Sequence, residues 1–126
     1  GLNNKDITRI VISTGKMSID LYEHAVKLED HKSIKLIRLE ELYPFPFEDI
    51  QAYFKQFKNL KEIVWVQEEP KNMGAWSFVE PRLRAAAPKG KDVRYIGRKR
   101  RSSTAEGDPL IHKEEQQRII TEAFQQ

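Results

Sequence analysis

Four short apolar runs recur along the chain, at residues 7–13, 34–39, 62–66 and 93–96. Each is rich in Ile or Val and short enough for a strand buried on both faces. Between them the apolar residues switch to helical spacing. Ile19, Tyr22, Ala25 and Val26 follow the first run, Ile50, Tyr53, Phe54 and Phe57 the second, and Phe78, Val79, Leu83 and Ala86 the third. A long polar loop follows the fourth run. Beyond it, Ile119, Ile120 and Phe124 share one face of a segment spanning 112–124. Strands alternating with helices predict a mostly parallel sheet with helices on both faces. In such a sheet every loop leaving a strand lies at one carboxyl edge, where ligands bind. Here those loops are 13–16, 40–47, 67–76 and 97–107.

A chain of 126 residues suits one domain. No apolar run approaches the roughly 20 residues of a membrane span, and the opening GLNNKDITRI lacks a basic-then-apolar signal pattern. It starts as an excised piece of a longer chain would. There is no Cys, which excludes disulfides and thiolate sites. The net charge is +3, and the run Arg98-Lys99-Arg100-Arg101 holds much of the excess.

The stretch QEEPKNMGAW puts Glu68 and Glu69 at the end of the third run. Neighbours on an extended chain point to opposite sides. Two such carboxylates do not converge on one substrate as an acid/base pair must. A structural role is expected instead, with one of them capping the next helix or holding a backbone amide in the turn at 70–74. Asn72 is the expected N-cap, and Gly74 permits close backbone approach. The stretch from Asn72 to Trp76 reads as an interface or a helix entry; Trp76, near a helix start, is expected to be partly exposed in the isolated domain and to meet another domain, the alternative being a private core role.

In YPFPF, Pro44 and Pro46 restrict φ and bias the residues before them away from the helical region. The segment should be stiff and extended, presenting Tyr43, Phe45 and Phe47. Two readings stand: a rigid link packed on its own core, or a docking ridge for another domain or subunit. Ser13-Thr14-Gly15-Lys16 lacks the first Gly and the Gly-Lys-Ser/Thr order of a phosphate loop and reads as a tight strand-to-helix turn. His24, His31 and His112 show no metal-ligand spacing, and no Ser-His-Asp arrangement is visible. The loop at 97–104 sets Arg98, Lys99, Arg100 and Arg101 beside Ser102, Ser103 and Thr104, types that suit phosphate oxygens. The alternative is a solvated or intersubunit basic loop. Nucleic-acid binding is disfavoured because no aromatic residue interleaves the cations.

Taken in order, RLEELYPFPFEDIQ, WVQEEPKNMGAW, YIGRKRRSSTAEG and HKEEQQRIITEAF resemble the carboxyl-terminal domain of the thiamine-dependent component of 2-oxoglutarate dehydrogenase. The resemblance spans nearly the whole chain. It implies a three-layer α/β/α sandwich of the transketolase carboxyl-terminal type; the further strand that this fold carries ahead of the first run is expected to be cut off here or replaced by residues 1–6. It implies residues 1–126 as a single domain of a longer polypeptide. Thiamine diphosphate and magnesium are implied to bind between two earlier domains whose metal motif and active-site histidines this sequence lacks. No catalytic residue, metal ligand or cofactor is therefore expected here. The implied roles are homodimer assembly and support of the other domains, in a parent that serves the tricarboxylic acid cycle and passes succinyl groups to a lipoyl succinyltransferase. Some members of this family bind acetyl-CoA or AMP in this region, a role that Arg98, Lys99, Arg100, Arg101, Ser102 and Ser103 fit chemically. No membrane or nucleic-acid partner is implied, and the setting is a bacterial cytoplasm or a mitochondrial matrix. The 2-oxoadipate paralogue shares the pattern, and an independent nucleotide-binding regulatory module is the other reading.

Overall fold

Arg-Ile-Val-Ile-Ser, residues Arg9–Ser13, forms β1, and every one of its residues is buried. Only a strand with neighbours on both sides and helices on both faces can bury five consecutive residues. The computed structural model, which describes residues 4–98 and 108–125, shows that arrangement. β2 (Ile34–Arg38), β3 (Glu62–Pro70) and β4 (Asp92–Arg98) complete a four-stranded sheet in the order β2-β1-β3-β4. All three pairings are parallel, with Val11 opposite Leu36 on one side and Val64 on the other. The fold is the expected α/β sandwich. Asn4–Asp6 forms a 3₁₀ turn ahead of β1.

Helices α1 (Gly15–Lys27), α2 (Phe47–Phe54), α3 (Trp76–Ala86) and α4 (Pro109–Phe124) fill the crossovers and the carboxyl terminus. Alternation along β1 sorts the two cores. Ile10 and Ile12 face α2 and α3, with Phe54, Leu60, Trp65, Val79 and Leu83. Val11 faces α1 and α4, with Met17, Leu21, Val64, Ile96 and Ile119. Trp65 is among the largest fully buried side chains. Burial of an aromatic ring of this size contributes about 4–6 kcal/mol from apolar area alone.

Two helix entries follow from local chemistry. α4 starts where the Asp108 carboxylate accepts the Leu110 N–H at 2.8 Å, with Pro109 in the first turn. α1 starts at Gly15, whose φ of +55° is unfavourable for side-chain-bearing residues. The Ser13 and Ser18 hydroxyls are hydrogen-bonded at 2.7 Å across this turn, as a tight strand-to-helix turn requires. The buried residues of α1 are Met17, Ser18, Leu21 and Ala25. Of the residues whose spacing marked this helix, Ile19, Tyr22 and Val26 lie instead on the exposed side. No helix among the described residues is long and apolar enough to cross a membrane.

Candidate functional site at the carboxyl edge

The strand that ends in two carboxylates does not stop at them. β3 runs on to Pro70, which pairs with Arg98 of β4 after a register irregularity beyond Val66. The residue that organises the following turn is Gln67. It is 5 % exposed, and its side chain serves five backbone or indole groups. Its Oε1 accepts from Trp65 Nε1 at 2.8 Å and from the Trp76 amide at 3.1 Å. Its Nε2 donates to the carbonyls of Glu69, Pro70 and Met73 at 3.2, 3.0 and 2.8 Å. A buried amide with its polar atoms satisfied stabilises one conformation of the turn and disfavours the rest.

This arrangement corrects two expectations. Neither Glu68 nor Glu69 caps a helix: α3 has Ala75 at its N-cap and no side-chain cap bond, and Gln67 takes the first amide instead. Asn72 is exposed in the turn and is not the cap. Gly74 meets its role, with φ of +66° and the Glu69 carboxyl 3.0 Å from where a Cβ would stand. Trp76 departs from the partly exposed ring expected of it. Only 7 % of it is exposed, because its ring packs into the sheet core with its centroid 5.6 Å from that of Tyr95.

Tyr95 closes the site from β4. Its hydroxyl lies 2.7 Å from the Glu69 carbonyl and 3.0 Å from that of Arg98. Burial pushes its phenol up to about 12. Gly97 is obligatory beside it: a Cβ would overlap the Tyr95 hydroxyl and stand 2.8 Å from the Gln67 carbonyl. Lys71 Nζ lies 6.0 Å from the Tyr95 ring centroid. Lys71, Asn72, Trp76, Ser77, Tyr95, Gly97 and Arg98 line an open cleft of about 650 Å³. Arg98 lies against His112 of α4, its Nη2 facing the imidazole Nδ1. Its Nε is buried without a hydrogen-bond partner among the described residues. Arg118 of α4 donates to the Gly97 carbonyl at 2.7 Å and to Glu115 and Glu122. The Glu115 hydrogen bonds, with Glu122, raise its pKa above the ordinary value. Lys99, Arg100, Arg101, Ser102 and Ser103 lie outside the described residues.

The YPFPF segment is a strand-to-helix link at the same edge. It bends at Tyr43 and Pro44, and Phe47 already belongs to α2, so it is not the uniformly extended ridge expected. Phe45 and Phe47 pack on the chain's own core. Tyr43 is 70 % exposed, its ring 4.4 Å from that of Phe78. The Arg82 guanidinium stands 3.7 Å over the same Phe78 ring. Gln67, Lys71 and Tyr95 are the edge residues that sequence reasoning missed. An apolar run ending in Gln carries no signal that the Gln is buried.

Among the described residues, no three of His, Asp and Glu converge as a metal site requires. The residues present do not fit a magnesium–thiamine diphosphate site, and no chemical step is assigned to that group in this chain. A model of the 2-oxoglutarate dehydrogenase C-terminal family matches residues 1–124. The chain belongs to this family. Its relatives include proteins named 2-oxoglutarate dehydrogenase E1 component. That of Bacillus licheniformis is 58% identical over 119 residues, which cover 94% of this chain and 13% of that protein. Those of Geobacillus kaustophilus and Bacillus subtilis are 56% and 55% identical over 120 and 119 residues, covering 95% and 94% of this chain and 13% of each relative. The chain thus spans about 13% of the length of these relatives. For a 2-oxoglutarate dehydrogenase C-terminal domain, the carboxyl edge is a surface built by β3, β4 and α3, shaped by hydrogen bonds to backbone.

Proposed function

We propose that this chain is one non-catalytic, carboxyl-terminal domain of a longer thiamine diphosphate-dependent 2-oxoglutarate dehydrogenase. That parent is an oxidoreductase of the tricarboxylic acid cycle working beside a lipoyl succinyltransferase, in a bacterial cytoplasm for relatives such as these. The observation that carries this is the match of the chain, nearly end to end, to about 13% of each E1 relative. The domain's work is assembly: it holds the parent homodimer and buttresses the domains that bind the cofactor. Exposed Tyr43 and Asn72 are the side chains offered to those neighbours. Phe45, Phe47 and Trp76 set the shape of that surface from beneath. Sedimentation of the full-length parent with and without residues 4–125 tests this. The intact protein should sediment as a dimer and the truncated one should not. A truncated protein that remains a stable dimer contradicts the assembly role.

A second reading is favoured by the buried, unpartnered Nε of Arg98. Arg98, Lys99, Arg100 and Arg101 with Ser102 and Ser103 form an anion site for a phosphorylated effector. Calorimetric titration of acetyl-CoA and AMP into the full-length parent should show binding that Arg100→Ala weakens about tenfold. If neither nucleotide binds, or if the variant binds as well as the parent, the loop is a solvated or intersubunit basic segment.

A further inference from the structure

Arg82 lies on the exposed side of α3 with its guanidinium already held in place. The group stands 3.7 Å over the Phe78 ring, and its Nη1 donates to the Phe78 carbonyl at 2.8 Å. That bond uses one of the several N–H groups a guanidinium carries. Arg82 forms no ion pair with a described residue, whereas Arg9, Arg38, Arg84, Arg94 and Arg118 each have one. Glu80, the acid of the same helix, is taken by Arg84. A guanidinium fixed in one position, with donors to spare, loses little side-chain freedom when a carboxylate arrives.

The same Phe78 ring has its centroid 4.4 Å from that of the exposed Tyr43, and Phe45 meets it edge-on at 6.3 Å. These contacts join Tyr43, Phe78 and Arg82 into one surface, and aromatic residues and Arg are the types that carry binding energy at protein interfaces. The link that bears Tyr43 also bears Glu41, which is exposed. Glu41 has no ion pair or side-chain hydrogen bond with a described residue, while its neighbour Glu40 is paired with Arg38. A wholly acidic partner is opposed by Glu41, and a wholly basic one by Arg82. A partner carrying both signs matches this surface. A copy of the surface turned about a two-fold axis is such a partner, because each residue then meets the other's counterpart twice.

We infer that this surface is an isologous contact between two copies of the chain, with Arg82 of each copy bound to Glu41 of the other and the Tyr43 and Phe78 rings of both packed beside them. The inference deepens the assembly reading above and rests on it, naming the second subunit as the partner and the two residues that select it.

Charge reversal in the full-length parent tests the pairing. Arg82→Glu sets two acids against each other at both symmetry-related contacts, and Glu41→Arg sets two cations there. Each single variant should exchange subunits at least about tenfold faster than the parent, measured by native mass spectrometry after mixing isotope-labelled and unlabelled protein. Both positions are exposed, so neither change threatens folding. The double variant Arg82→Glu/Glu41→Arg restores opposite charges at both contacts and should exchange within about threefold of the parent. When the two single variants are mixed with each other, every contact again joins opposite charges. Heterodimers should then make up about nine in ten of the dimers, against about half for random pairing. The proposal is overturned if Arg82→Glu exchanges like the parent, if the double variant exchanges as fast as the single ones, or if the mixed variants pair at random. Removal of residues 4–125 separates this contact from the wider reading. A truncated parent that stays dimeric contradicts the assembly role itself, whereas a truncated monomer together with random pairing contradicts the Arg82–Glu41 contact alone.

Discussion

The Gln67 side-chain oxygen accepts the first free amide of α3, that of Trp76, at 3.1 Å. One buried amide side chain thereby supplies the cap hydrogen bond that the Ala75 N-cap cannot and ties β3, the turn and α3 into a unit. Replacing it with Leu keeps the volume roughly constant but takes the partner from two donors, Trp65 Nε1 and the Trp76 amide, and from the Met73 carbonyl, while the Glu69 and Pro70 carbonyls keep Tyr95 and the Met73 amide. Gln67→Leu should lower unfolding free energy by about 3 kcal/mol or more, read from chemical denaturation. Gln67→Glu sets a carboxylate against three carbonyl oxygens, which raises its folded-state pKa. Its stability should therefore be highest at acid pH and fall as pH rises past the ordinary Glu value of about 4.3. A pH-independent Gln67→Glu deficit would contradict this geometry.

Gly97→Ala should cost about 2–3 kcal/mol, because the new methyl meets both the Tyr95 hydroxyl and the Gln67 carbonyl. Tyr95→Ala in the same chain removes both the hydroxyl and the ring carbon that a Cβ at position 97 would meet at 2.5 Å. The double variant should be more stable than the sum of the two single losses predicts, by about 1 kcal/mol in a double-mutant cycle. Strict additivity would mean that the close approach is not what excludes a side chain there.

The Tyr95 phenol gives a pH signature. Its folded pKa of about 12 exceeds the unfolded value of about 10. The neutral form is therefore the one favoured by folding. Its contribution is complete below about pH 10 and is lost as pH rises towards 12. Tyr95→Phe should flatten this part of the alkaline stability curve. A variant whose curve falls as steeply as the parent's would contradict the assignment.

At the opposite edge of the sheet, Glu62 serves two arginines. It lies 3.4 Å from Arg9 Nε and 2.6 Å from Arg94 Nε. Arg9 is 8 % exposed and also donates to the Ala123 carbonyl at 2.8 Å, and burial lowers its pKa. Glu62→Ala leaves that guanidinium without its counter-charge and should cost about 3 kcal/mol. Arg84→Ala, which breaks a more exposed helical pair with Glu80, should cost under about 1 kcal/mol.

The strands were legible because their Ile- and Val-rich runs are too short for helices and too continuous for one-sided burial. The helices were legible as elements, but the phase of α1 was not. Its sequence carries two apolar stripes of the same period, Met17-Leu21-Ala25 and Ile19-Tyr22-Val26. The turn at Gly15, not the pattern, selects which one faces Val11. At the carboxyl edge the charged residues drew the eye to Glu68 and Glu69. The residue that shapes the turn is the neutral Gln67, whose burial depends on β3 continuing past its apolar run to meet Arg98. Trp76 looked exposed because it opens a helix after a polar turn. It is buried because the strand's extension carries that helix start back over Tyr95.

The most direct test of the account is turnover by the chain itself. It should be assayed with 2-oxoglutarate, thiamine diphosphate and magnesium, with ferricyanide as electron acceptor, beside the full-length parent. The parent should reduce ferricyanide, and the chain alone should show a rate equal to the no-protein control. Decarboxylation by the chain above that control would contradict the reading of this domain as an assembly element without chemistry of its own.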